Sequence, residues 1–404
     1  MDATYRPTHK KSIVLDRGLG SYLWDVEGKR YTDLCAGFGS LPLGHNHPGI
    51  LEVLKGDSTA SLPPKLMQGL GDLYPHKAKI DLIKKLHEVM PKFLTRTAFA
   101  VTGSQAVEYA LKTAMLATKG SGVIAFNGSY HGLDVGALSL TNREYFRAPF
   151  KAWLQESQVS HLPFGCTVET VHAALKAQLG KGVKPAAIIL EPIQGRGGIK
   201  VPETSWLLSL RKICDEWGIL LIYDEVFTGL GRLGRLTTAQ EVPCDLLCIG
   251  KTLGGGMPLS ACMGTEQAMS AWPVCESESL HTGTFFGHPL SCAVGLKTIE
   301  LVLSDGLVKR AEIQGRRLKK QLEELAAKEK KILSVRGLGL MIGVEFYRPF
   351  YAAELMDRLL AAGVVAIPCG EKGECLSISP ALNIPEQVWD EALQVITHEI
   401  AKLD

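Results

Sequence analysis

Two acids and one amine stand at the ends of neighbouring apolar runs. Residues 218–225 read GILLIYDE and close on Asp224 and Glu225. Residues 245–252 read DLLCIGKT and close on Lys251 and Thr252, with Gly254, Gly255 and Gly256 just beyond. Apolar runs of this length bounded by turn residues read as buried strands. In an open parallel sheet, chemistry collects just outside the carboxyl ends of the strands. Asp224 and Lys251 are therefore predicted to face one crevice. Two chemistries suit such a pair: phosphate and metal handling, or carbonyl chemistry through an imine on the lysine.

Spacing argues against the first. A phosphate loop of the form GxxxxGK[ST] needs glycine at 245, where the chain has Asp245, and the acidic strand precedes the GKT instead of following it. The run Gly229 to Gly234, GLGRLG, fits a dinucleotide fingerprint. That motif works only where it opens a helix inside a short βαβ unit, and a polar, threonine-rich segment follows it here. The imine on Lys251 is the better reading. A lysine that forms imines must be neutral part of the time, which burial near other positive charge makes possible.

The elements that must position this pair are legible in outline. Residues 24–34, WDVEGKRYTDL, alternate around Glu27-Gly28 as a hairpin does. In residues 77–91 the apolar Ile80, Ile83 and Leu86 recur at helical spacing, which sends Lys84, Lys85 and His87 toward solvent. Residues 98–118 read as a strand, a turn at Thr102-Gly103-Ser104, and a helix. The free N–H groups of that helix start make an anion site, although capping by Thr102 or Ser104 explains the same residues. Gly122 to Phe126 reads as a strand with Tyr130 and His131 in the loop after it. The run AAIILEPIQG is another strand, ending at Glu191. The next segment carries Trp206, Leu207, Leu210 and Ile213 at helical spacing and leads into ILLIYDE, which makes a βαβ unit and a parallel pair. Beyond residue 291 long helices alternate with the strands GLGLMIGVEF and VVAIPC.

Composition narrows the class. The 404 residues suit one large and one small domain, and a net charge of +2 gives no reason to expect nucleic acid. No apolar run spans a bilayer and the first residues have no apolar signal core, so a cytoplasmic location is expected. Ten scattered cysteines without a CxxC pair read as reduced thiols. His45 and His47 have no third ligand nearby, so no metal is expected and both read as packing or loop hydrogen bonding.

Four stretches in order, EPIQG, LLIYDEVFTGLGRLG, GKTLGGGMPLSACMG and HTGTFFGHPLSCAVG, resemble the class III (omega-type) aminotransferases, and the resemblance runs from about Gly20 to about Asn383. It implies the α/β fold of fold-type I pyridoxal 5′-phosphate enzymes. A large cofactor-binding domain, 51–290, would hold a mostly parallel sheet between helices. A smaller α+β domain would come from both chain ends, 1–50 (which also lines the entrance to the site) and 291–404. It implies that Lys251 forms the internal aldimine and then shuttles the proton, and that Asp224 faces the cofactor's ring nitrogen. Tyr130 would stack on the ring with Val226 on the opposite face. Gln194 would lie near the 3′-oxygen, and Gly103 and Ser104 would hold the phosphate. Thr284 would bind the phosphate of the partner subunit, so the enzyme would be a homodimer with sites completed in trans. Phe38 and Ser40 fall where the family's loop borders the substrate, and His131 where it supports the Tyr130 loop. Glu225 points to the other side of its strand and reads as structural.

The implied activity is transfer of an amino group from an amine or amino acid to an oxo acid or aldehyde. The alternatives are a racemase, epimerase or aminomutase on the same scaffold, or a binding protein that has lost turnover. Two departures bear on the substrate. Relatives carry arginine after YHG and in a carboxyl-terminal segment, where this chain has Leu133 and Ser377. Neither can imitate an arginine–carboxylate fork. Glu191 then lacks its usual partner and is expected to find a cation: Arg143, Arg147 or a second ammonium on the substrate. The last case predicts a donor without a carboxylate at its reacting end.

Overall fold

The computed structural model describes residues 13–56, 67–68, 74–274 and 279–403. At its centre lies a seven-stranded sheet. Its spatial order is Arg96–Ala100, Ser260–Gly264, Leu246–Ile249, Leu220–Glu225, Pro185–Leu190, Gly122–Phe126, Val159–Leu162. Ser260–Gly264 runs antiparallel to both its neighbours, and all the other pairings are parallel. The expected βαβ unit is present, with helix Thr204–Trp217 joining Pro185–Leu190 to Leu220–Glu225.

The central strands Pro185–Leu190, Leu220–Glu225 and Leu246–Ile249 are apolar up to the terminal Asp224 and Glu225 because both faces are covered. Along them the side chains alternate between two cores: Ile188, Leu190, Leu221 and Tyr223 enter one, while Ala187, Ile189 and Ile222 enter the other. The period of two in a strand produces this alternation, and burial on both sides removes any polar residue from it.

Two four-stranded sheets flank the central one. The predicted hairpin, Tyr22–Asp25 with Arg30–Asp33, turns through Gly28 at φ 83°, a conformation that favours glycine. Leu15–Leu19 extends it on one side and Val364–Val365 pairs in parallel on the other. The second sheet is antiparallel, in the order Ile332–Leu338, Met341–Phe346, Cys375–Ile378, Ile367–Cys369. Leu34 and Leu43 share a core with Leu318, Phe346 and Trp389, so the two ends of the chain fold together.

Helix Lys77–Val89 forms as expected, but its buried pair is Leu82 and Leu86, and Ile80 is exposed. The inward face is chosen by contact with helix Pro289–Ser304. His87 is half-buried with its Nε2 3.0 Å from Thr97 Oγ1, so it does not simply face water. Among the described residues the nine cysteines are unbonded, and no helix is long and apolar enough to cross a membrane.

The strand that leads to Lys251 is fastened at its start. Asp245 Oδ2 accepts from Leu221 N at 2.7 Å and from Arg211 Nη1 at 2.6 Å. Asp245→Ala leaves the Leu221 amide without its acceptor and Arg211 with Asp215 alone, which costs about 1–3 kcal/mol. Urea unfolding measures the loss.

Candidate active site

Asp224 lies opposite Cys248 and Glu225 opposite Ile249 in the parallel register, so the chain turns out of the sheet at Gly250 and Lys251 beside Asp224. Lys251 adopts φ 38°, a left-handed backbone that an L-residue occupies only under strain, and its ammonium stands 4.4 Å from the centre of the Phe227 ring. Both residues, with Asp224, line a cavity of about 560 Å³. Burial lowers the Lys251 pKa, the Asp224 and Glu191 carboxylates raise it in part, and Arg196 adds to the lowering. The amine is thus held closer to its neutral, nucleophilic form than a free lysine.

Asp224 is buried. Its Oδ2 lies 2.8 Å from His131 Nδ1 and its Oδ1 accepts from Val226 N at 3.1 Å. His131 is in turn placed by its own N–H, which donates to Thr141 Oγ1 at 2.9 Å, while Thr141 Oγ1 donates to Gly132 O at 2.9 Å. Glu225, on the opposite side of the strand, accepts from Thr237 Oγ1 at 2.8 Å and from Thr238 N at 2.7 Å, a structural role.

Thr102 caps helix Gly103–Thr118 in a reciprocal box with Gln105. The cap consumes the N–H of Gln105 only. The N–H groups of Gly103 and Ser104 find no acceptor among the described residues and open on the cavity. Gly103 also allows a close approach, since a Cβ there would stand 2.6 Å from Val226 Cγ1. Ser104 Oγ accepts from Asp134 N at 3.0 Å.

A helix N-terminus with two free donors fits a phosphate. A buried carboxylate suits a protonated pyridine nitrogen, and a lysine of lowered basicity suits an aldehyde. Pyridoxal phosphate therefore fits the residues present. The dinucleotide fingerprint at 229–234 opens no helix. It lies in turns that lead to a short 3₁₀ segment, Thr238–Gln240.

Ser40, Gly103, Ser104, Tyr130, Leu133, Glu191, Asp224, Val226 and Lys251 line the cavity together. Phe38, Gln194, Thr284 and Ser377 do not. Phe38 and Thr284 are exposed, and Ser377 is buried in the sheet opposite Gly343. Gln194 Nε2 donates to Asn127 O at 2.9 Å. Residues given no cavity role in the sequence also reach it, among them His131, Phe227 and Arg196. The available signal for Arg196 was a lone cation in a glycine-rich loop just past a strand end.

Neither arginine expected as a cation for Glu191 pairs with it. Arg143 donates to the carbonyls of Arg196 at 2.7 Å and Gly370 at 3.2 Å, and Arg147 pairs with Glu156 at 3.2 Å. Glu191 is satisfied by main-chain donors instead, Tyr130 N at 3.0 Å and Gly195 N at 2.9 Å. Burial pushes its carboxyl up to about 7, against an ordinary 4.5. Between those values the unfolded chain has released a proton that the folded chain keeps. Stability therefore falls as pH rises from 4.5 to about 7 on account of this group. Glu191→Gln removes that contribution. Urea titrations of the cofactor-stripped protein at both ends of the window measure the flattening.

The profile described as aminotransferase class-III matches residues 4–400. The acetylornithine aminotransferase of Methanopyrus kandleri is 36% identical over 335 residues, 82% of this chain and 80% of that one. The ornithine aminotransferase of Toxoplasma gondii superposes with a TM-score of 0.86 at 27% identity, over 98% of this chain and 92% of that one. An amine transaminase from an uncultivated Pseudomonas species, solved in its PLP-bound form, superposes with a TM-score of 0.84 at 28% identity, over 99% and 96%. Nearly the whole length is matched, and the acid and amine that first suggested imine chemistry do meet in one cavity: this chain belongs to the class III aminotransferases, enzymes that work with pyridoxal 5′-phosphate.

Proposed function

We propose that Lys251 holds the cofactor covalently through Nζ and afterwards moves the proton at the substrate carbon, in a transamination that alternates between an amine donor and a carbonyl acceptor. The observation that carries this reading is the meeting of Lys251 and Asp224 at adjacent strand ends in one cavity. When bound, the cofactor supplies an electron sink for the bond broken beside the substrate nitrogen. Asp224, held by His131, would keep a proton on the cofactor's ring nitrogen through a charge-assisted hydrogen bond. The Gly103 and Ser104 amides would take the phosphate, and Tyr130 and Val226 would confine the flat ring. Gln194, outside the cavity with its amide on Asn127 O, would reach the 3′-oxygen only by turning.

Thr284 is exposed and outside its own chain's cavity, which suits a role in a partner's phosphate site across a two-fold axis. We place the homodimer in the cytoplasm, where unbonded cysteines persist. Phe38 and Ser40 border the substrate entrance.

Lys251→Ala abolishes multiple turnover while the fold and phosphate binding survive. Asp224→Asn keeps the cofactor but loses most activity, on the order of 100-fold or more for a group acting through the reacting centre. The assay is bleaching of the cofactor absorbance by an amine and its return with an oxo acid. A racemase or aminomutase would show no such partner-dependent return. A second experiment mixes inactive Lys251→Ala chains with inactive Thr284 variants. Recovery of activity in hybrid dimers is expected, and a monomer fully active at high dilution would rule out sharing between subunits.

A further inference from the structure

The cavity holds two basic side chains with different fates. Lys251 is the reactive amine. The other is Arg196, which lines the same cavity and has its guanidinium 5.8 Å from the centre of the Tyr130 ring. Among the described residues that guanidinium has no hydrogen-bond or ion-pair acceptor. Two other buried or half-buried arginines are committed elsewhere. Arg143 spends its guanidinium on the Arg196 and Gly370 carbonyls, and Arg232 is fully buried against the carbonyls of Leu340 and Pro380. Glu191, the acid on the same loop, takes two main-chain N–H groups and no cation.

The base of Arg196 is fixed while its head is free. Its carbonyl accepts from Arg143 Nη1 at 2.7 Å and from Gly370 N at 2.9 Å, and the preceding Gly195 N donates to Glu191 Oε2 at 2.9 Å. An arginine anchored in this way and set against an aromatic ring offers its planar fork in a restricted orientation, the geometry that suits a carboxylate. Arg196 is the permanently charged cation of the cavity and has no acceptor of its own, which favours a ligand that brings a negative charge.

We propose that Arg196 reads the carboxylate of the substrate, so that the site takes an amine or oxo compound bearing a carboxylate while its nitrogen end reaches Lys251. The assignment rests on the aminotransferase reading above. It replaces the expectation, drawn from Leu133 and Ser377, of a donor without a carboxylate. Leu133 keeps a place in it, as an apolar wall for the carbon chain between the two ends.

The test uses the holoenzyme and matched probes: ω-amino acids of increasing length, with L-alanine and L-glutamate, each against the alkylamine of equal chain length. Single-turnover bleaching of the cofactor absorbance gives kcat/KM for the half-reaction without a second substrate. Wild type should prefer the acids, and Arg196→Gln should lose ~10–100-fold on them, the worth of a charged hydrogen bond, with a far smaller loss on the amines. Arg196→Lys should recover only part, because an ammonium lacks the fork. Equal losses on both series, or a wild-type preference for alkylamines, overturns the proposal. Calorimetric titration with pentanoate, which carries no amine, separates the two layers of argument. Binding by wild type that Arg196→Gln abolishes supports Arg196 even if no amine bleaches the cofactor, an outcome that would instead sink the aminotransferase reading. Undiminished pentanoate binding in Arg196→Gln overturns the assignment.

Discussion

A carboxylate with 5% of its surface exposed sits at the end of an apolar strand, and that is expensive unless its charge is answered. Asp224 is answered by His131 at 2.8 Å and by the Val226 amide. His131 can do this only because the loop after Gly122–Phe126 is stitched back on itself through Thr141. The same loop presents Tyr130, and the Tyr130 amide satisfies Glu191 on the next strand. Asp224, Tyr130 and Glu191 are therefore one connected arrangement. Its members come from three adjacent strand ends, and loss of one hydrogen bond would leave several polar groups buried without partners.

The sequence carried much of this. Strand boundaries at Phe126, Glu225 and Ile249 followed from apolar runs with turn residues beyond them, because burial on both faces erases polar residues. The helix start at Thr102 was legible because capping chemistry is local. What escaped was set by distant packing. Whether Ile80 or Leu82 turns inward depends on helix Pro289–Ser304, some two hundred residues on. Arg143 was a candidate partner for Glu191, and Arg196 drew no role. Only the folded loops show that one is consumed by carbonyls and the other is left facing a cavity. The buried Glu191 needed no cation because main-chain amides reached it, and such amides leave no trace in residue type.

The amino-terminal segment bears directly on the reactive lysine. A Cβ at Gly39 would stand 2.6 Å from the Phe227 ring and 3.9 Å from Lys251 Cδ, and Thr252 Oγ1 donates to Gly39 O at 3.3 Å. On its other side this segment is tied to the end of the chain: Leu34 N donates to Val365 O, Ser379 N to Leu34 O, and Leu382 N to Pro42 O. The segment packed on Lys251 is thus held by partners from distant parts of the chain. Contacts of such long sequence separation form slowly. Burial is what lowers the basicity of Lys251, so its amine acquires that property only when these distant pairings close over it.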